Sequence, residues 1–188
     1  MRKIFLGFAV TAAVMLTGCV QVPLSYQPTL QNLEALRTSG MAPANVGTFT
    51  LAPGQPEAMD QSVSARAATI VPPQKSFALF LKDALKQELQ AAGKFDPNST
   101  IVISGALTKN TLEAPIGTGK GTLAAKFSVD RDNKRVYEKE LEEDAEWPSA
   151  FIGAEAIPVA ITQYATLYKN LLGRLFSDED FQKVTKAR

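Results

Sequence analysis

A single thiol stands out among the residues able to do chemistry. Cys19 is the only cysteine, and it closes the stretch Leu16-Thr17-Gly18-Cys19. Ahead of it lie the basic pair Arg2-Lys3 and an apolar run from Ile4 to Leu16. A basic start, a short apolar segment and a small-residue exit have the form of a secretory signal. The run is too short for a mature membrane span, which takes about 20 apolar residues. The residue after the small-residue exit carries a sulfur nucleophile, which changes the reading of the whole segment.

Residues 16–19 resemble the lipobox of bacterial lipoprotein signal peptides. The resemblance implies that a diacylglyceryl group joins the sulfur of Cys19, that residues 1–18 are removed, and that the new amino terminus is acylated. The competing reading is a buried free thiol behind an ordinary signal or first helix. Each buried methylene contributes about 0.8 kcal/mol, so one acyl chain holds marginally and two or three hold almost permanently. In lipoproteins of enteric bacteria an aspartate just after the cysteine tends to retain the protein at the inner membrane. Val20 and Gln21 stand there instead. The resemblance therefore implies the outer membrane, facing the periplasm, with the membrane itself as first partner.

Other chemistries are restricted by what the sequence lacks. It has no histidine and no second cysteine. A disulfide within one chain is excluded, as are zinc sites built from histidine or cysteine. The Ser-His-Asp and Cys-His nucleophile arrangements are excluded too. No serine has a lysine three positions later, and no G-x-S-x-G occurs. The run Gly117-Thr118-Gly119-Lys120-Gly121-Thr122 invites a phosphate-binding reading, but the glycine spacing fits neither the Walker pattern nor the dinucleotide fingerprint. It also opens a strand, where a phosphate loop should open a helix. A flexible hairpin connection or edge bulge is the better reading. The carboxylates from Glu138 to Glu146 could serve acid–base catalysis only if burial separated their pKa values. Alternation places Glu138, Glu140 and Glu142 on one strand face, which reads as solvated, and calcium-loop spacing is absent. No cofactor, no metal and no enzymatic activity are expected.

The chain has 188 residues, with 20 lysines and arginines against 19 acids. Losing Arg2 and Lys3 with the signal would turn a formal charge of +1 into −1. Nucleic-acid binding has no electrostatic footing in such a chain. The hydrophobic fraction of 45% suffices for one core. The expected organisation is a signal over 1–18, a lipidated terminus and tether over 19–45, and a single domain over 46–188. Pro23, Pro28 and Pro43 punctuate the tether, and Leu30, Leu33 and Leu36 suggest a short helix within it, capped by Thr29, whose stripe width favours packing on the domain over lying along a membrane surface.

The elements that must position any site follow from periodicity. Residues 48–51 alternate as a half-buried strand, and 52–56 form a turn. Residues 62–70 are ambiguous, with a second strand as one reading. The clearest helix covers 77–92, with Ser76 as N-cap and Gly93 as stop. Strands follow at 100–107, extended past a bulge to 114, then at 123–129 and 135–142, with a hairpin turn at 130–133. A second long helix is predicted over 158–176, with Pro158 in its first turn. Ser177-Asp178 would cap a last short helix. The predicted fold is α+β, a two-layer sandwich of an antiparallel sheet of 4–5 strands with two long helices on one face.

That order on a lipid-tethered chain resembles YajG-like lipoproteins and the auxiliary lipoproteins of ABC-type lipid-transport systems. The resemblance covers Cys19 and the element order over residues 46–176. It implies non-enzymatic work in envelope transport or assembly, with an envelope protein as partner. Trp147, Phe151 and Ile152 are the candidate partner-binding residues, since large apolar groups in a loop often anchor an interface. Trp147 and Phe151 could equally close the core beneath the second helix. A second expectation is a binding module for a lipid or other apolar ligand, with Phe127, Trp147, Phe151 and Tyr164 around a gap between helices and sheet.

Overall fold

The computed structural model describes residues 20–187, so the signal-like segment and Cys19 lie outside the described residues. The chain runs through β1 (Val20–Pro23), α1 (Leu30–Thr38), β2 (Asn45–Leu51), α2 (Ala58–Gln61), β3 (Val63–Ala65), β4 (Ala68–Val71) and α3 (Phe77–Ala92). It continues through β5 (Ile101–Glu113), β6 (Gly117–Arg131), β7 (Lys134–Ser149), α4 (Gly153–Ser177) and α5 (Glu179–Thr185). The main sheet has the order β2-β5-β6-β7. Its centre is the strict alternation of β6, where Leu123, Ala125, Phe127 and Val129 are fully buried. Asp132 and Asn133 turn β6 into β7 with φ of 52° and 62°, a mirror-image turn that matches strand twist. In β5 a register shift between Leu107 and Lys109 forms the expected bulge. It keeps Asn110 and Leu112 buried after Ile103 and Leu107.

The fold is α+β, with α3 and α4 packed against the main sheet. Its strands divide in a way the periodicity did not reveal. β2 pairs parallel with β5, and the crossover that a parallel pair demands contains α3. A second, three-stranded sheet has the order β1-β4-β3. The ambiguous stretch 62–70 supplies its β3–β4 hairpin. Ser76 caps α3 by accepting from the Leu79 N–H, and Gly93 ends it at φ 71°. Along α3, Leu81, Leu85 and Leu89 are fully buried, each contributing about 1.5–3 kcal/mol.

Helix α4 starts earlier than predicted, so Pro158 lies in its second turn. Its buried stripe is also rotated: Ala156 and Ala160 face the core, while Ile157 and Ile161 are half-buried. Small residues there let the helix approach, and the bulk comes further on from Tyr164, Tyr168 and Leu171.

The stretch read as a tether is not free. β1 lies parallel beside β4 from its first residue, Val20 opposite Ala68. Leu24, Tyr26, Leu36, Met41 and Ala44 are buried in the same core as α3 and α4. Thr29 caps α1 as expected, accepting from the Asn32 N–H. The fully buried Glu88 of α3 ties this segment down. Its Oε1 accepts from the Tyr26 hydroxyl (2.5 Å), Asn32 Nδ2 (2.9 Å) and the Thr29 N–H (3.3 Å). The docking of α1 on the domain matches one reading of its leucine stripe, though it is made by Asn32 and Leu36 while Leu30 is exposed. The pairing of β1 has no local signature, because proline and glutamine spacing looks the same in a linker and in a strand.

Candidate functional site

The structure does not bring Trp147 onto one surface with Phe151 and Ile152. β7 continues past the predicted end at Glu142 to Ser149, placing Trp147 in the sheet opposite Gly119. There it is 4% exposed. A Cβ on Gly119 would collide with the indole, so the glycine is what makes room for the ring. The Gly117–Gly121 run, read as a hairpin loop, is therefore the first part of β6. Trp147 is a core residue, the second of the two placements its sequence context allows.

Phe151 and Ile152 lie beyond the strand, in the β7–α4 connection, and are 78% and 56% exposed. A third apolar residue joins them. Ile116, 63% exposed, sits in the β5–β6 turn. Because Gly117 pairs with Ser149, the two connections emerge side by side. The sequence signal for Ile116, an apolar residue between Pro115 and Gly117, is weak by itself.

One arginine holds both connections. Arg66 occupies the β3–β4 turn at φ 55°, a left-handed conformation uncommon for a residue with a side chain. Its Nε donates to the carbonyl of Ala114 (2.8 Å), and Nη1 donates to that of Phe151 (3.0 Å). Nη2 donates to the Ala150 carbonyl, the Ser149 hydroxyl (3.2 Å) and the Pro115 carbonyl (3.4 Å). The planar guanidinium thus satisfies carbonyls from two loops at once, as its fork of donors allows. The apolar side chains are left pointing away from a rigid polar base. Arg66 was not singled out by the sequence pattern, since nothing local shows where its side chain reaches.

The carboxylates of β7 form no convergent site. Lys109 pairs with Glu142 (2.7 Å), Lys120 with Glu146 (2.7 Å) and Lys126 with Glu138 (3.3 Å), all on the open face of the sheet. Hydrogen bonding to these acids raises the pKa of Lys109 and Lys120. Glu140 accepts from the Thr108 hydroxyl (2.7 Å). Glu143 points to the helix side and pairs with Arg174. Among the described residues no group of three or more histidine, cysteine, aspartate or glutamate side chains could hold a metal. Of the four residues expected around an apolar gap, Phe127, Trp147 and Tyr164 are closed into the core and Phe151 lies outside it. Among the described residues no helix is long and apolar enough to cross a membrane.

No family model matches the chain, and no curated protein matches it significantly. Among solved structures, a protein from Xanthomonas campestris described under family-model DUF330 superposes with a TM-score of 0.57 at 10% identity, covering 84% of this chain and 95% of that one. A minor lipoprotein from Acinetobacter baumannii gives a TM-score of 0.44 at 12% identity, covering 77% of this chain and 96% of that one. The first likeness is one of fold alone, and the second is too distant to carry an argument.

Proposed function

We propose that the chain is a lipid-anchored, non-enzymatic accessory protein of a bacterial envelope, held by acyl chains on Cys19 at the periplasmic face of the outer membrane. It serves a transport or assembly complex by protein contact, confined to the membrane surface by its anchor. The observation that carries this reading is the Leu16-Thr17-Gly18-Cys19 stretch behind a short apolar run, followed at once by the folded chain at Val20. Support for a non-enzymatic role comes from the carboxylates, which are spread over an open sheet face in ion pairs with lysines.

The test is Cys19→Ala in the bacterial host. Intact mass of the wild-type protein is expected to show loss of residues 1–18 and gain of two or three acyl chains. The variant should lose the acyl mass and leave the outer-membrane fraction. An unmodified Cys19 in a wild-type protein that still fractionates with membranes would overturn the reading.

A further inference from the structure

Resting on the anchor reading, we propose that the tip made by Ile116, Phe151 and Ile152 lies in the membrane interface, so that the domain is docked on the lipid surface and not suspended from it. Two features of the fold lead there. The first is the absence of slack. Val20 is already paired with Ala68 in a sheet, and Cys19 is its immediate neighbour. Consecutive Cα atoms are about 3.8 Å apart, so an acylated Cys19 has no linker to spend. Whichever end of the domain carries Val20 must touch the bilayer.

The second feature is which end that is. Ala68 stands two residues after Arg66, whose guanidinium holds Ala114 and Pro115 of one tip connection and Ser149, Ala150 and Phe151 of the other. The direction of β1 agrees. A groove of about 290 Å³ runs between Pro23, Leu24 and Gln27 and the Ile161, Thr166 and Lys169 positions of α4. Because β1 runs parallel to β4, following it back from Pro23 to Val20 leads to the Arg66 end of that strand, where the connection that ends at Ile152 is held. Anchor and tip share one end of the molecule.

The chemistry of the tip suits a lipid surface. It is a projection of two loops, not a groove, and presents phenyl and branched aliphatic groups outward. Short apolar projections enter the boundary between headgroups and acyl chains, where buried apolar area sets the binding. Arg66 is committed to the two connections, and the exposed charges flanking the tip are Glu113, Glu155 and the Lys120–Glu146 ion pair, which together carry no net positive charge. Attraction to anionic lipid is therefore not the driving term, and raised salt should leave the docking unchanged.

The acylated full-length protein is reconstituted into vesicles of phosphatidylethanolamine and phosphatidylglycerol bearing a nitroxide on the acyl chain. With Cys19 blocked by lipid, Ile116→Cys or Glu140→Cys supplies a single thiol for a fluorescent label. The label at position 116 is expected to be quenched several-fold more than that at position 140, at low and high salt alike. Adding Phe151→Ser and Ile152→Ser, both at exposed positions, should remove most of that difference while the protein stays on the vesicles. Equal quenching at 116 and 140 in an acylated, vesicle-bound protein overturns the tip proposal and leaves the anchor standing. An unacylated Cys19 overturns both. In cells, a photoreactive residue in place of Phe151 should capture lipid, and a single protein adduct in its place would also overturn the proposal.

Discussion

Arg66 and Glu88 are both charged side chains that reach across long sequence gaps, and they have opposite structural consequences. Glu88 is fully buried and gathers donors from the amino-terminal segment onto α3. Arg66 is half-buried and distributes donors to carbonyls of two surface connections. Around Glu88 the aromatic side chains turn inward: Tyr26 stacks edge-on against Phe80, and Phe80 against Tyr168. Around Arg66 the side chains of Ile116, Phe151 and Ile152 turn outward. A charge under a core segment secures the fold. A charge under loop carbonyls lets a surface stay apolar and ordered at once, because the backbone is satisfied without the side chains folding over it.

The largest break in this comparison is Glu88→Ala. It strands the Tyr26 hydroxyl and one bond of Asn32 in a buried site, costing about 3 kcal/mol. The urea midpoint should fall accordingly, and exchange of amides in β1 and α1 should rise before that of the tip. Glu88→Gln keeps an acceptor for Tyr26 and should cost about 1 kcal/mol. If both variants unfold at the wild-type midpoint, the segment is held by apolar contacts and Glu88 is incidental.

Alkaline pH sharpens the same contrast. Tyr26 is held far above the usual phenol range, first by burial and then by its hydrogen bond to Glu88 and the nearby Glu88 charge. Burial raises Tyr164 and Tyr168 as well, and the neighbouring Tyr164 adds to the shift of Tyr168. A folded pKa above the unfolded value gives stability that is complete below the unfolded pKa, about 10, and is lost as pH rises beyond it. Each such tyrosine removes about 1.4 kcal/mol per pH unit in that window. Denaturation midpoints should be insensitive to tyrosine ionisation below about pH 9 and drop steeply above pH 10. Tyr168→Phe should flatten the drop by one tyrosine's share. A profile with no alkaline drop would show these hydroxyls reaching solvent in the folded chain.

Much of this arrangement was legible wherever a local rule determines the outcome. Thr29, Ser76 and Asp178 cap helices as their side chains demand, each accepting an N–H three residues on. Gly93 ends α3, and the bulge in β5 follows from the phase change between Leu107 and Leu112. What was not legible depends on distant partners. Gly119 reads as a loop residue until Trp147, 28 residues later, is seen to need its space. The wrap of β1 and α1 depends on Glu88, whose sequence trace is a lone acid on the stripe of Leu81 and Leu85. The parallel place of β2 beside β5 leaves no local mark. Of the candidate site, Phe151 and Ile152 were visible as apolar residues near a proline and a glycine. Ile116 became their neighbour only through the pairing of Gly117 with Ser149.

Arg66→Gly should have the smallest effect on global stability and the most local effect on structure. The guanidinium bonds lie at the solvent-facing rim, where water replaces the lost donors to each carbonyl, so their loss together costs about 1 kcal/mol. Glycine offsets part of that by relieving the left-handed backbone at this turn. The midpoint should therefore move little. Hydrogen exchange should instead speed up at Ile116 and Ile152, whose connections lose their common support, while amides near Tyr26 stay protected. Arg66→Lys separates charge from geometry: an ammonium can satisfy one or two carbonyls but cannot span both loops in one plane. It should restore the midpoint without restoring protection at the tip. If Arg66→Gly leaves tip exchange unchanged, the two connections are ordered by the β6–β7 ladder alone. The contrast with Glu88 would then reduce to one of burial.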